Sequence, residues 1–212
     1  MHARAWCEID LAGLRANVTR LRAVAGVPLV PMVKADAYGL GAEALTRVFA
    51  ALPAPSTPWA LGVATVAEGE ALRAYGWTGR VLCCSPVLAE EHAAMRVARV
   101  TPALHRAADI TAWCEASRAP WHLAVDTGMS RAGIDWRGIA SLLPVTALHA
   151  PEGVFTHFHS ALSHDGSRAV QEARFRTACR ELALPSATLR HADNSHASVS
   201  YTHLTLPTNR EV

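Results

Sequence analysis

Residues 27–41 read VPLVPMVKADAYGLG, an apolar run that ends at Lys34 and continues into a turn with two glycines. Lys34 is the only lysine of the chain; the other residues among its 20 Lys and Arg are all arginines. A lysine amine can lose its proton and form a Schiff base, whereas an arginine stays protonated. The run therefore predicts a buried strand with a reactive amine at its carboxyl end. The alternative is an arginine-biased composition that leaves one chance lysine on the surface.

Short apolar runs of this kind recur along the chain and suit the strands of a buried parallel sheet. They cover residues 29–33, 59–64, 80–84, 97–104, 122–126, 153–158 and 188–192. Helical patterns separate them, at residues 42–51, 65–75, 89–98, 107–117, 137–143 and 167–182. One of these helices begins with a capping-box spacing from Thr65 to Glu68. The alternation predicts an α/β fold, a (β/α)8 TIM-type barrel with about seven of its eight units, more than an open sheet.

The bulk properties of the chain exclude several classes of function. A net charge of +2 with dispersed arginines argues against nucleic acid as a partner. There is no apolar run of about 18 residues, which a membrane span requires, and the first residues lack the apolar core of a signal peptide. The 5 cysteines have no CxxC spacing and indicate free thiols in a reducing compartment. We therefore expect a cytoplasmic protein that binds neither nucleic acid nor membrane.

Two polar stretches follow later strands. Residues 123–133 read LAVDTGMSRAG, and Arg131 after a strand end can hold a carboxylate or a phenolic oxygen. The alternative is an Asp-Thr-Gly turn with a solvated arginine, which is common in loops. Residues 153–160 read GVFTHFHS, in which His157 and His159 share one face if the strand continues. A metal could use this pair, but no carboxylate cluster with ligand spacing accompanies it, so we predict no metal site.

A third polar stretch, HADNS at residues 191–195, follows the last predicted strand. Ser195 at the start of a helix would suit a phosphate, because the free N–H groups and the helix dipole favour an anion. Without the other motifs, an ordinary Asn-Ser N-cap at Asn194 and Ser195 would explain the same letters.

Together, and in this order, these stretches resemble the motifs of alanine racemases, which are fold-type III enzymes that use pyridoxal 5'-phosphate (PLP). The resemblance runs from residue 4 to about residue 198, with Leu40 where relatives commonly have His. It implies that Lys34 carries PLP as a Schiff base and is the catalytic base for D-alanine. It also implies that Arg131 contacts the phenolic oxygen of PLP and the carboxylate of the substrate. The other cofactor-binding residues that it implies are Tyr38, His157, Asn194 and Ser195, whose hydroxyl binds the phosphate.

The implied reaction is the PLP-dependent interconversion of L-alanine and D-alanine, which supplies D-alanine for peptidoglycan. The resemblance also implies a homodimer in which the partner subunit supplies the second base, a tyrosine, from a C-terminal β domain. Ala124 departs from the family pattern, because many members have there a lysine, modified to a carbamate, that orients the arginine. The alternatives are a broad-specificity racemase or another fold-type III enzyme, a PLP-binding barrel without catalysis and, more distantly, a metal-dependent barrel hydrolase built on His157 and His159.

The resemblance divides the chain into three parts. Residues 1–9, with a strand at 4–9, are expected to pair with a C-terminal β domain that this chain lacks. Residues 10–198 form an incomplete PLP-binding barrel domain without its eighth strand, and Asp10 is the N-cap of a helix at 11–24. Residues 199–212 are expected to be a non-native tail, because residues 199–208 resemble the translation of a transposon-end sequencing adapter. We therefore expect an inactive or barely active fragment with two exposed sheet edges.

Overall fold

A parallel sheet forms the centre of the protein. The computed structural model describes residues 6–192 and 194 and the backbone of residues 210 and 211. In spatial order the strands are β1 (Ala60–Val63), β2 (Arg80–Cys83), β3 (Thr101–Leu104), β4 (His122–Asp126), β6 (Gly153–Phe155), β7 (Leu189–His191) and β8 (Arg210–Glu211), while β5 (Ile134–Asp135) pairs with β4. Every pairing is parallel. The sheet curls into part of a barrel, which confirms the predicted α/β class and incomplete TIM-type barrel.

Helices precede and separate these strands, and all but α2, a single left-handed turn, lie close to predicted positions. They are α1 (Leu11–Ala25), α2 (Lys34–Gly39), α3 (Ala42–Ala50), α4 (Val66–Ala74), α5 (His92–Ala98), α6 (Ala107–Ala116), α7 (Leu143–Leu148) and α8 (Ser167–Glu181). The predicted helix at 137–143 is instead a 3₁₀ helix, Trp136–Leu142, which precedes α7. Pro144 lies in the first turn of α7, where its missing N–H costs nothing, so a new helix begins there. Among the described residues, no helix is long and apolar enough to cross a membrane.

Local signals set where the helices begin. The Asp10 carboxylate accepts hydrogen bonds from the N–H groups of Ala12 (3.0 Å) and Gly13 (2.9 Å), which confirms it as the N-cap of α1. The capping box from Thr65 to Glu68 is present at the start of α4. These side chains satisfy N–H groups that a helix start leaves unpaired.

The first predicted strand, residues 29–33, has its place beside β1 but is not a regular strand. Met32 pairs with Gly62 through a single parallel bridge, and the Val33 N–H donates to the Gly62 carbonyl (2.8 Å). Pro28 and Pro31 have no N–H to donate, so a continuous ladder cannot form here. The segment still delivers Lys34 to the carboxyl end of the sheet.

The two ends of the chain differ from the rest. Residues 6–9 belong to no strand, so the described part of the predicted strand 4–9 is not seen as one, and residues 1–5 lie outside the described residues. A strand needs a neighbour for its N–H and C=O groups. Residues 195–209 also lie outside the described residues, and the two-residue β8 pairs with β7 where no eighth strand was expected. The predicted domain bounds at 9 and 198 stay predictions.

The core lies on both sides of the sheet. Every residue of β1 and of β3 is buried, so both faces of these strands are covered, as their unbroken apolar runs predict. The largest fully buried side chains include Trp113, Trp121 and Phe158. This packing fixes the strand ends from which the polar motifs extend.

Candidate active site

The polar motifs follow the carboxyl ends of their strands, which meet at one end of a parallel barrel. Lys34 follows segment 29–33, Arg131 lies in the loop after β4, and His157 lies after β6. The pKa of His157 is below its ordinary value, first because of desolvation and then because of the positive charges of Arg131 and Lys34. His157 therefore lies within electrostatic reach of both Lys34 and Arg131.

The segment after β7 reaches the same end of the sheet. The Asn194 side-chain amide donates to the carbonyl of Phe158 (3.3 Å), which ties this segment to the one after β6. Ser195, the expected phosphate-binding residue, lies outside the described residues. Its role stays a prediction.

Residues directly after Lys34 form a left-handed turn. Ala35, Asp36, Ala37 and Tyr38 have φ values of 51, 53, 54 and 57°. Each non-glycine residue in this conformation costs about 1–2 kcal/mol. The sequence indicated a turn with two glycines and a helix from residue 42; the strained turn ends at Tyr38, and α3 begins after Gly41. Strain of this kind persists only where surrounding contacts hold it, and it is concentrated at functional sites.

Hydrogen bonds on both sides hold this turn in place. The Ala37 N–H donates to the Val33 carbonyl (2.9 Å), and the Ala42 N–H donates to Asp36 Oδ1 (2.7 Å). The Ala35 N–H donates to the Glu68 carboxylate (2.8 Å). The carboxylates of Asp36 and Glu68 thus engage backbone groups, and neither forms an ion pair with Lys34 among the described residues.

The Lys34 amine has an unusual electrostatic setting. Lys34 is half-buried, and its Nζ lies 5.8 Å from the centre of the Tyr38 ring, within range of a cation–π contact. Tyr38 itself is 62% exposed. Within residues 6–192 and 194, neither the Lys34 amine nor the Arg131 guanidinium has a hydrogen-bond or ion-pair partner. Two cations that both act on His157, and that lack counterions among the described residues, favour an anionic ligand.

The loop that carries Arg131 is held by hydrogen bonds from its backbone to the Asp126 side chain. Asp126 Oδ1 accepts from the N–H groups of Gly128 (2.8 Å) and Ser130 (3.1 Å), a pattern typical of Asp-initiated turns. Arg131 is exposed, and the buried Ala124 offers it no polar group. In the described part of the chain no side chain holds the Arg131 guanidinium through a hydrogen bond or an ion pair.

His159 has a structural partner that the sequence did not indicate. The backbone N–H of His159 donates to Gln171 Oε1 (3.0 Å), and the Gln171 side-chain amide donates back to the His159 backbone carbonyl (3.2 Å). The predicted strand 153–158 ends at Phe155, so His157 and His159 do not share a strand face. Across the described residues, no group of three His, Cys, Asp or Glu side chains is arranged to hold a metal ion.

A second polar cluster, also missed, lies inside the barrel. His122 Nδ1 and His191 Nε2 are 2.9 Å apart, and His191 stacks on Phe155 with ring centres 4.9 Å apart. His122 Nε2 lies 3.5 Å from Glu152 Oε2, which is long for a hydrogen bond. Burial lowers the pKa of His122 and lowers that of His191 well below its ordinary value. The only sequence signal was a histidine at the start of an apolar strand.

A family model described as "Alanine racemase, N-terminal domain" matches residues 9–208. Among curated proteins, alanine racemase from Desulforamulus reducens is 34% identical over 210 residues, covering 92% of this chain and 56% of the relative. Alanine racemase from Deinococcus radiodurans is 35% identical over 203 residues, covering 95% and 56%. The chain therefore spans about half the length of the curated relatives that it matches.

Solved structures give the same result. Alanine racemase from Corynebacterium glutamicum superposes with a TM-score of 0.84 at 28% identity, covering 96% of this chain and 60% of that one. Alanine racemase from Bartonella henselae, solved with covalently bound pyridoxal phosphate, superposes with a TM-score of 0.81 at 21% identity, with the same coverage, and supports the fold alone. The match of the family model to nearly the whole chain, over the motifs described above, shows that this chain belongs to the alanine racemase family, through its N-terminal domain.

Proposed function

We propose that this chain binds PLP covalently through Lys34 and supplies the lysine side of an alanine racemase site. The observation that carries the proposal is the setting of Lys34. The only lysine of the chain is half-buried at the carboxyl end of the sheet, acts together with Arg131 on the charge of His157, and has no carboxylate partner among the described residues. An amine that must reach a carbonyl carbon needs this freedom, whereas a structural lysine is usually paired or fully solvated.

The residues present fit the chemistry of PLP. The cofactor has an aldehyde for an amine and anionic oxygens for cations, and the mouth presents one amine at Lys34 and one guanidinium at Arg131. Ser195 is proposed to bind the phosphate, Asn194 to orient it, and Tyr38 to pack beside the amine; the last agrees with the 5.8 Å separation of the Tyr38 ring from Nζ. When bound, PLP supplies an electron-poor ring that acidifies the α-hydrogen of alanine.

Each side chain then has a separate task. Lys34 would hold the cofactor through its amine and would take the α-proton from one face of alanine. Arg131 binds the alanine carboxylate through its planar fork and orients that hydrogen toward Lys34. The lowered pKa of His157 keeps this imidazole neutral at neutral pH, so it adds no third positive charge to the mouth.

Three further features of the proposal rest on family membership. We propose a homodimer in which the partner subunit faces the other side of alanine, and a cellular role in supplying D-alanine for peptidoglycan. We also propose a cytoplasmic location. Its support here is that all of Cys7, Cys83, Cys84, Cys114 and Cys179 are free thiols, as a reducing compartment favours.

The test is hydrogen exchange on alanine in D₂O with added PLP. We expect deuterium to enter the α position of D-alanine faster than that of L-alanine, because Lys34 serves one face only. The Lys34→Arg variant should lose this exchange. Because any free amine with PLP supports some exchange, the double variant Lys34→Arg/Arg47→Lys is the control: it restores one exposed amine on α3, and equal exchange by this variant and the wild type would refute the proposal.

A further inference from the structure

The Glu68 carboxylate lies where three backbone segments meet. Its Oε1 accepts from the Ala35 N–H (2.8 Å), directly after Lys34. Its Oε2 accepts from the N–H groups of Ala64 (2.7 Å) and Thr65 (3.3 Å), at the end of β1 and the start of α4. The Glu68 N–H donates to Thr65 Oγ1 (3.2 Å), which completes the capping box. One side chain thus joins the lysine turn to the rigid junction of β1 and α4.

The bond to Ala35 is the contact that links this junction to the amine. Ala35 is the first of four consecutive residues with positive φ, and its peptide N–H belongs to the bond that follows Lys34. Non-glycine residues do not adopt such a run by intrinsic preference, so external acceptors must select it. Glu68 is the side-chain acceptor that contacts the turn from outside, at Ala35, whereas Asp36 is itself part of the turn and accepts from the Ala42 N–H beyond it.

We propose that Glu68 is a positioning residue for Lys34. By fixing the direction of the Ala35 N–H, its carboxylate selects the left-handed turn and aims the Lys34 amine into the barrel mouth. The effect of Glu68 on catalysis rests on the proposed function of Lys34. Its effect on the conformation of the turn does not depend on that function. Glu68 touches no reacting atom in this account; it acts through the backbone between Lys34 and Ala35.

The test compares Glu68→Gln with Thr65→Ala. In Glu68→Gln the acceptor loses its charge and one of its oxygens becomes an NH₂ group that cannot accept a hydrogen bond, so the Ala35 N–H is left with a neutral acceptor or with none. Thr65→Ala removes the other half of the capping box and leaves the Glu68–Ala35 contact in place. It therefore reports how far a weakened start of α4 alone affects the lysine turn. Circular dichroism and thermal unfolding establish that both variants fold.

The first readout needs no cofactor. Amide hydrogen exchange is measured at Ala35 in the complete chain, resolved to single residues. We expect Glu68→Gln to raise the exchange rate of the Ala35 amide about tenfold or more, because a bond to a charged acceptor is lost. Thr65→Ala should leave this rate within about twofold of wild type, since its cap lies outside the turn. Unchanged exchange in Glu68→Gln, or equal increases in the two variants, would overturn the inference.

The second readout is the rate at which PLP and borohydride label Lys34, located by peptide mass spectrometry. We expect roughly tenfold slower labelling in Glu68→Gln and wild-type labelling in Thr65→Ala, because a displaced amine reacts less often in the correct geometry. Equal labelling in Glu68→Gln and wild type would show that Glu68 does not aim the amine. If wild-type Lys34 is not labelled while Ala35 exchange still responds to Glu68→Gln alone, the proposed cofactor role fails and the selection of the turn stands.

Discussion

Gly133 offers a sharp test of the loop that carries Arg131. Its φ is 116°, and a Cβ added there would lie 2.7 Å from the Asp126 nitrogen and 3.0 Å from the Val125 carbonyl carbon. These are backbone atoms of β4, which pairs with β3 and β6 on either side and cannot shift without breaking those pairings. The strained φ of Gly133→Ala alone costs about 1–3 kcal/mol. With the clash added, we expect a loss of about 2–4 kcal/mol in the free energy of unfolding.

Gly138 is the matched control. It has no positive φ, and nothing lies within 4 Å of an added Cβ, so Gly138→Ala should be neutral or stabilise the protein by up to about 1 kcal/mol. The assay is urea unfolding followed by circular dichroism, comparing midpoints at an unchanged m-value. If the two variants differ by less than about 0.5 kcal/mol, the described approach of Gly133 to β4 is wrong. Gly133→Ala should also weaken PLP labelling of Lys34, because it moves the loop of Arg131.

Two further predictions concern buried titratable groups. Burial lowers the pKa values of His122 and His191 in the folded protein, so the unfolded chain binds more protons and stability should fall as pH decreases through about 6.5. The lowered pKa of Glu152 adds a further loss below about pH 4.5. Melting temperatures from pH 8 to pH 5 test this, and an unchanged or rising value at pH 5 would contradict it. Burial raises the pKa of Cys83 to about 12, so iodoacetamide at pH 8 should alkylate the exposed Cys7 and spare Cys83 in the native protein. Comparable labelling of both cysteines would show that β2 is not buried.

Much of the fold was predictable because periodicity and caps are local. Each predicted strand from 59 to 192 overlaps an observed one, and Asp10 and Thr65 cap the helices that they were expected to cap. The failures have non-local or steric causes. Prolines reduce the first predicted strand to one bridge. Strand β6 ends at Phe155, before His157 and His159.

The candidate site was predictable in its residue types but not in its geometry. Lys34, Arg131 and His157 stood out because their chemistry is unusual at strand ends. The left-handed turn after Lys34 was not predictable, because it depends on an acceptor, Glu68, that lies 33 residues away. The buried pair of His122 and His191 was missed for the same reason, since its partners come from different strands.

The central claim is that Lys34 is the amine that binds PLP. The most direct measurement is to incubate the chain with PLP, reduce it with borohydride and locate the adduct by peptide mass spectrometry. The chain has only one lysine, so Lys34 and the N-terminal amine are the only two primary amines that can react. We expect a near-stoichiometric adduct on Lys34 that the Arg131→Ala variant reduces. An adduct confined to the N-terminal amine, in a protein that is folded by circular dichroism, would contradict it.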